Sequence, residues 1–147
     1  VEVPVQISQL LRHKAREVAT IDGSESVRAA LGLLADKGIG ALVVSSDGRR
    51  IDGIISERDV ARGLHIRGAG LLTEPVSSVM TAEVHTCAPG ESVHDLARTM
   101  TDHRVRHVPV VDDGVLVGIV SIGDVVKARL DELEEERKQL VDYIQTA

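Results

Sequence analysis

The stretch Gly53-Ile54-Ile55-Ser56-Glu57-Arg58-Asp59 returns as Gly118-Ile119-Val120-Ser121-Ile122-Gly123-Asp124. Each copy reads as an apolar strand that ends at a helix start, with Ser at the boundary and Asp three residues on. That spacing is a capping box, in which the two side chains satisfy N–H groups that the first helical turn leaves without partners. The same place suits a ligand. A helix N-terminus offers N–H groups and positive potential to a phosphate. A carboxylate beside it can accept the paired hydroxyls of a ribose, as an acidic residue does in dinucleotide-binding folds. A cap alone accounts for one copy; two copies at matching places shift weight toward a ligand.

The two motifs belong to a longer repeat. At a shift of 66 residues, Thr20, Glu25, Ser26, Val27, Asp36, Val44, Asp47 and Gly48 fall on Thr86, Glu91, Ser92, Val93, Asp102, Val110, Asp113 and Gly114. One residue then drops out after the Asp-Gly turn, and at a shift of 65 Gly53, Ile54, Ser56, Asp59 and Val60 fall on Gly118, Ile119, Ser121, Asp124 and Val125. Each unit of about 60 residues reads alike. A short strand is expected near Val18–Ile21 or Val84–Cys87. A helix follows Ser24-Glu25-Ser26 or Gly90-Glu91-Ser92, with Val27, Ala30, Leu31 and Leu34 at helical spacing. Ala41–Val44 and Val108–Val111 are buried-strand candidates, Asp47-Gly48 and Asp113-Gly114 are hairpin turns, and the return strands are Ile51–Ile55 and Leu116–Val120. The expected fold is mixed α/β (α+β): two pseudo-symmetric β-α-β-β-α repeats, residues 1–70 and 71–130, joined through Gly68–Pro75, with an acidic amphipathic helix over 131–147. One unit is too small to bury both faces of its sheet, so the pair is expected to pack as one module.

Composition removes several classes of function. The chain has 147 residues, 43% hydrophobic and 27% charged, which reads as soluble and globular. No apolar run approaches the roughly 20 residues of a membrane span. The first residues lack a secretory pattern, and a cytoplasmic location is the default expectation. Cys87 is the single cysteine, which excludes an internal disulfide. There is no Phe or Trp and one Tyr, Tyr143, so no ring platform exists for stacking single-stranded bases. The net charge of −6 disfavours nucleic acid and anionic membranes, although five of the six residues Asp131–Glu136 carry much of it locally.

The repeat order, the Gly-h-h-Ser-x-x-Asp motif in each half (h apolar) and the run Arg106-His107-Val108-Pro109-Val110-Val111-Asp112 resemble a tandem pair of CBS domains, a Bateman module, over about residues 7–130. The resemblance implies two units about a pseudo-twofold axis, with two clefts that bind adenosine compounds: AMP, ADP, ATP, NAD(H) or S-adenosylmethionine. It implies that Asp59 and Asp124 hold ribose hydroxyls, with Ser56 and Ser121 near the ribose or phosphate. It implies that the backbone of Val18, Ala19 and Thr20, and of Val84, His85 and Thr86, meets the base. Aliphatic side chains such as Ile54, Val108, Pro109 and Ile119 would then enclose the adenine. Arg106 and His107 align with phosphate-contacting positions of some family members; their first-repeat counterparts, Gly40 and Ala41, carry no charge but join the same expected site. Arg58 has a similar claim, and Gly123 replaces it in the second copy, so the two sites are expected to differ in charge. His103 and Arg104 read equally as a solvated helix end.

No metal is expected: His13, His65, His85, His94, His103 and His107 show no ligand pair on one helix face. Cys87 reads as a small buried hydrophobe. No nucleophile–base arrangement stands out, so no catalytic residue is expected. Leu130, Leu133, Leu140 and Ile144 form a stripe interrupted by Arg137, which suits either packing on its own module or contact with a second copy. The resemblance implies a homodimer. The leading reading is a regulatory module that senses adenine nucleotide or NAD(H) and signals to a partner protein in energy or redox signal transduction. The alternatives are a structural module with unoccupied clefts and an S-adenosylmethionine sensor.

Overall fold

The computed structural model describes residues 4–13 and 18–146. In chain order the elements are α1 (Ile7–His13), β1 (Thr20–Ile21), α2 (Val27–Lys37), β2 (Ala41–Val44), β3 (Gly53–Ser56), α3 (Glu57–Arg67), two 3₁₀ turns (Ala69–Thr73 and Val76–Ser78), α4 (Val93–His103), β4 (His107–Asp112), β5 (Val115–Ser121) and α5 (Ile122–Thr146). β1 runs parallel to β2 and β2 antiparallel to β3, with Thr20 opposite Val43 and Ala41 opposite Ser56. β4 and β5 form a two-stranded sheet. β2 is buried along its whole length, as its unbroken Ala-Leu-Val-Val run requires.

The chain divides into two compact units. One consists of residues 16–86 and 109–119; its core gathers Ile21, Val27, Ala30, Leu34, Leu42, Val44, Ile55, Val60, Leu71 and Val76. The other consists of residues 1–15, 87–108 and 120–147, in which Ile7, Val93, Leu96, Met100, Val108, Val120, Val125 and Ala128 are buried.

The duplication extends to single backbone hydrogen bonds. Ile39 N–H donates to Leu34 O and Val105 N–H to Met100 O, both at 3.1 Å. Ser26 caps α2 by accepting from Ala29 N–H, and Ser92 caps α4 by accepting from Asp95 N–H. A second repeat, absent from the sequence comparison, appears in the straps that precede these helices. Val27 N–H donates to Glu74 O, Val76 N–H to Glu25 O and Ser77 N–H to Gly23 O. In the same pattern Val93 N–H donates to Val5 O, Ile7 N–H to Glu91 O and Ser8 N–H to Pro89 O, all at 2.9 Å. Residues 74–77 therefore hold the helix of the first repeat, and residues 5–8 hold that of the second. The expected link, Gly68–Pro75, is largely a 3₁₀ turn whose Leu71 is fully buried.

Two expectations need correction. Val84–Cys87 forms no strand; it makes only an isolated bridge at Cys87. His85 and Thr86 are exposed, so the stretch has little apolar face to bury against a neighbour. The return strand of the first hairpin is Gly53–Ser56 rather than Ile51–Ile55. The residues before it are held in a loop: Asp52 N–H donates to Val44 O, and Asp47 Oδ1 accepts from the N–H groups of Arg49 and Arg50. Those two bonds, that of Arg50 first, hold the Asp47 carboxyl below its ordinary pKa. The second hairpin is the tight one, with both central residues at positive φ (Asp113 52°, Gly114 78°), as a two-residue turn of this hand demands. The α5 stripe Leu130, Leu133, Leu140 and Ile144 is exposed.

α2 ends on Gly38 in the left-handed conformation (φ 62°), and α4 ends on Arg104 in the same conformation (φ 54°). Glycine meets no Cβ penalty there, whereas arginine carries about 1–2 kcal/mol. Part of that is offset because glycine loses more freedom on folding. Arg104→Gly should therefore raise stability by up to about 1 kcal/mol, and Gly38→Arg should lower it by a similar amount. Denaturant unfolding of both variants reads this directly.

Candidate functional site

Both Ser-x-x-Asp motifs close as capping boxes. β3 delivers Ser56 in an extended conformation, and α3 begins at the next residue. Ser56 Oγ accepts from Asp59 N–H at 3.2 Å, while Asp59 Oδ2 accepts from Ser56 N–H and from the Ser56 hydroxyl, both at 2.9 Å. In the second copy Ser121 Oγ accepts from Asp124 N–H at 3.2 Å, and Asp124 Oδ2 accepts from Ser121 N–H at 2.8 Å and from the hydroxyl at 3.0 Å. In each copy these bonds use Oδ2, so the cap fixes the carboxylate's orientation through one oxygen. Asp59 Oδ1 instead accepts a long bond, 3.4 Å, from the exposed Thr81 hydroxyl.

Adjacent backbone completes each helix start. Gly40 O accepts from Glu57 N–H at 3.0 Å, and Arg106 O accepts from Ile122 N–H at 2.8 Å. Gly40 and Arg106 thus occupy one structural place, yet only Arg106 projects a side chain there. The Arg58 and Arg106 side chains are exposed and have no ion-pair partner among the described residues. Ala41 lies opposite Ser56 in the ladder, and Val43 lies between Thr20 and Ile54. One sheet therefore positions Thr20, Ala41, Ile54 and Ser56, and Ala19 joins it through its carbonyl, which accepts from Val43 N–H.

The two units divide the expected residues. Val18, Ala19, Thr20, Gly40, Ala41, Ile54, Ser56, Arg58 and Asp59 share a unit with Val84, His85, Thr86, Pro109 and Ile119. Arg106, His107, Val108, Ser121 and Asp124 lie in the other. Val18–Thr20 and Ile54 are half-buried, Val108 and Pro109 are buried, and His85 and Thr86 are exposed.

Thr81 was not among the residues expected from sequence. Its backbone makes a two-way bridge with Ile54, each N–H···O at 2.9 Å. The first-repeat residue at its place is Ala15, so the repeat offered no signal. Gly53 makes this approach possible: a Cβ there would sit 2.6 Å from Met80 Sδ and 2.8 Å from Thr81 O. The glycine that opens the first motif is thus needed for close packing of residues 80–81.

No cluster of His, Cys, Asp or Glu suited to a metal occurs among the described residues, and the His13 side chain lies outside them. Burial, with the Glu91 carboxylate adding to it, pushes the Cys87 thiol up to about 12. No helix among the described residues is long and apolar enough to cross a membrane.

A family model described as the CBS domain matches residues 8–66 and again 76–131. A mitochondrial CBS domain-containing protein of Arabidopsis thaliana is 36% identical over 95% of this chain and 71% of its own length. The crystal structure of a CBS-domain-containing protein from Agrobacterium tumefaciens superposes with a TM-score of 0.82 at 41% identity, covering 86% of this chain and 95% of that one. A CBS domain protein from Pyrobaculum aerophilum, solved in complex with AMP, superposes at 0.73 with 30% identity, covering 82% and 89%.

Gly53→Ala should cost about 1–3 kcal/mol, since the added methyl meets a backbone oxygen. Gly32→Ala is the control: it is interior to α2, nothing lies within 4 Å of its added Cβ, and it should gain up to about 1 kcal/mol. Thermal melts of the two variants should move in opposite directions. Cys87 should resist iodoacetamide at pH 8 in the folded protein and react on denaturation, when its pKa returns to the ordinary range near 8.5.

Proposed function

The chain belongs to the CBS-domain family, and from that premise we propose that it is a regulatory module that binds an adenosine compound and passes the bound state to a partner protein. Asp59 and Asp124 hold the ribose hydroxyls, Ser56 and Ser121 lie beside the ribose or phosphate, and AMP, ADP, ATP or NAD(H) is the ligand. One observation carries the reading: the capping bonds in each motif engage Oδ2, so the carboxylate is oriented by the helix and its other oxygen is not needed for the cap. The AMP held by the Pyrobaculum relative supports an adenosine ligand.

Arg58 in the first motif and Arg106 at the second helix start are the phosphate-facing cations of this proposal. Gly123 stands where Arg58 would, and Gly40 where Arg106 would. Each site therefore has one arginine at a different place, and the two sites prefer differently placed phosphates. Regulation follows if the ligand binds one conformation of the module more tightly than another.

Asp59→Asn and Asp124→Asn separate capping from ribose binding. Asparagine keeps an acceptor for the box, so stability should fall by no more than about 1 kcal/mol. It replaces the second oxygen with a donor. Affinity for the ligand should fall by about 1.5–3 kcal/mol, or roughly 10- to 150-fold, with each variant damaging one site more than the other. Calorimetry with AMP, ATP, NAD and NADH on the parent, both variants and the double variant reads the effect. Unchanged affinity in all three variants would make these aspartates caps only. Failure of every ligand to raise the parent's melting temperature at millimolar levels would remove the proposal, since a ligand of the native state must stabilise it.

A further inference from the structure

Acceptor capacity at the first motif falls short of what a ribose asks. Asp59 Oδ2 accepts from the Ser56 N–H and from the Ser56 hydroxyl, both at 2.9 Å, which occupies both its lone pairs. Asp59 Oδ1 accepts from the Thr81 hydroxyl at 3.4 Å, so one lone pair remains on that oxygen. A ribose brings two neighbouring hydroxyls. Thr81 Oγ can supply the missing acceptor, since a hydroxyl that donates one bond still accepts. We propose that Thr81 is a ligand-binding residue that sets sugar specificity at the first site. One ribose hydroxyl donates to Asp59 Oδ1, and the other donates to Thr81 Oγ, whose own O–H still donates to Oδ1. This rests on the ribose reading of Asp59 proposed above.

The backbone places Thr81 for this use. Its N–H donates to Ile54 O and its carbonyl accepts from Ile54 N–H, each at 2.9 Å, within the compact unit that also holds Ser56 and Asp59. Branching at Cβ restricts the side chain's rotation, so it has little freedom to lose on binding. Thr81 is exposed and Asp59 half-buried, which leaves the hydroxyl open to a ligand. Acceptors for hydroxyls on adjacent carbons must be near neighbours themselves, as these two oxygens are. Their 3.4 Å separation exceeds the usual O–H···O range of about 2.5–3.0 Å, so the hydroxyl stays near Oδ1 without being tightly bound to it. The fold itself uses Thr81 through its backbone; the one hydrogen bond of its side chain is the one to Asp59. Ala15, which matches Thr81 in the repeat, has no hydroxyl. The arrangement therefore belongs to the first motif, and the two sites depend differently on the sugar.

The test uses the full chain carrying Asp124→Asn, so that calorimetric heats report mainly the first site. In that background AMP is titrated into the Thr81→Val, Thr81→Ser and Asp59→Asn forms. Valine keeps the branched shape and removes the hydroxyl; Thr81→Ala, a second form without the hydroxyl, must give the same result, and cooperative melting checks both. Thr81→Val should bind AMP about three- to tenfold more weakly, and Thr81→Ser should match threonine. Of 2′-deoxy-AMP and 3′-deoxy-AMP, one should lose affinity on Thr81→Val as AMP does. The other, lacking the hydroxyl that Thr81 receives, should bind the valine and threonine forms alike. Unchanged AMP binding by Thr81→Val would overturn the proposal, and so would tighter binding, which would make Thr81 a competitor for Oδ1. Equal losses for AMP and both analogues would overturn it as well, because shape rather than the hydroxyl would then be acting. Failure of the ribose reading looks different: Asp59→Asn leaves AMP affinity unchanged, or AMP does not bind, and both proposals fall. If Asp59→Asn weakens AMP and Thr81→Val does not, only the role of Thr81 falls.

Discussion

The strand-to-helix junction governs this molecule. Where β3 passes into α3 and β5 into α5, the first helical turn presents N–H groups that no helical carbonyl can reach. Serine and aspartate three residues apart close that deficit in both places, with bond lengths that agree within about 0.1 Å between copies. The carbonyls of Gly40 and Arg106 meet the next N–H group in the same way. A rotamer locked by two accepted bonds is what a binding site needs of a carboxylate, because little side-chain freedom is then left to lose when a ligand arrives. The capping bonds engage only Oδ2 of each carboxylate.

How much of this was legible in the sequence depended on whether side chains or backbone carried the information. Ser26, Ser92, Ser56 and Ser121 announced their helices because a hydroxyl at that place has a specific partner. Ala41–Val44 announced a buried strand because nothing polar interrupts it. Asp113-Gly114 announced a tight hairpin because both residues tolerate positive φ. The straps at 5–8 and 74–77 escaped notice because backbone groups alone make their contacts. Val5-Gln6-Ile7-Ser8 and Glu74-Pro75-Val76-Ser77 share only a serine and an aliphatic residue, and their offset differs from that of the main repeat. Thr81 escaped for a related reason: its place is set by a backbone bridge to Ile54 and by the absence of a Cβ at Gly53. The strand expected at Val84–Cys87 was an inference from Val18–Ile21 by symmetry, and symmetry failed where His85 replaces Ala19 and Cys87 replaces Ile21.

The straps also explain why the compact units do not follow the order of the repeats. Residues 5–8 open the first repeat yet bond to residues 89–93, beside the helix of the second. Residues 74–77 open the second repeat yet bond to residues 23–27, beside the helix of the first. Each repeat's first helix is thus held by a segment that leads into the other repeat. Neither repeat has its full set of backbone partners within its own boundaries.

At the ends of α2 and α4 the backbone stays constant and the side chains change. Gly38 and Arg104 hold one conformation, and the carbonyls of Gly40 and Arg106 each accept from the first N–H of the following helix. At Gly38 the glycine is what the conformation favours. At Arg104 the chain bears strain of about 1–2 kcal/mol to keep a side chain in that place. Arg106 stands at the start of α5 where Gly40 stands at the start of α3. A fold that needed only its backbone there would shed the strain by taking glycine in both halves. The arginine is compatible with stability but not required by it.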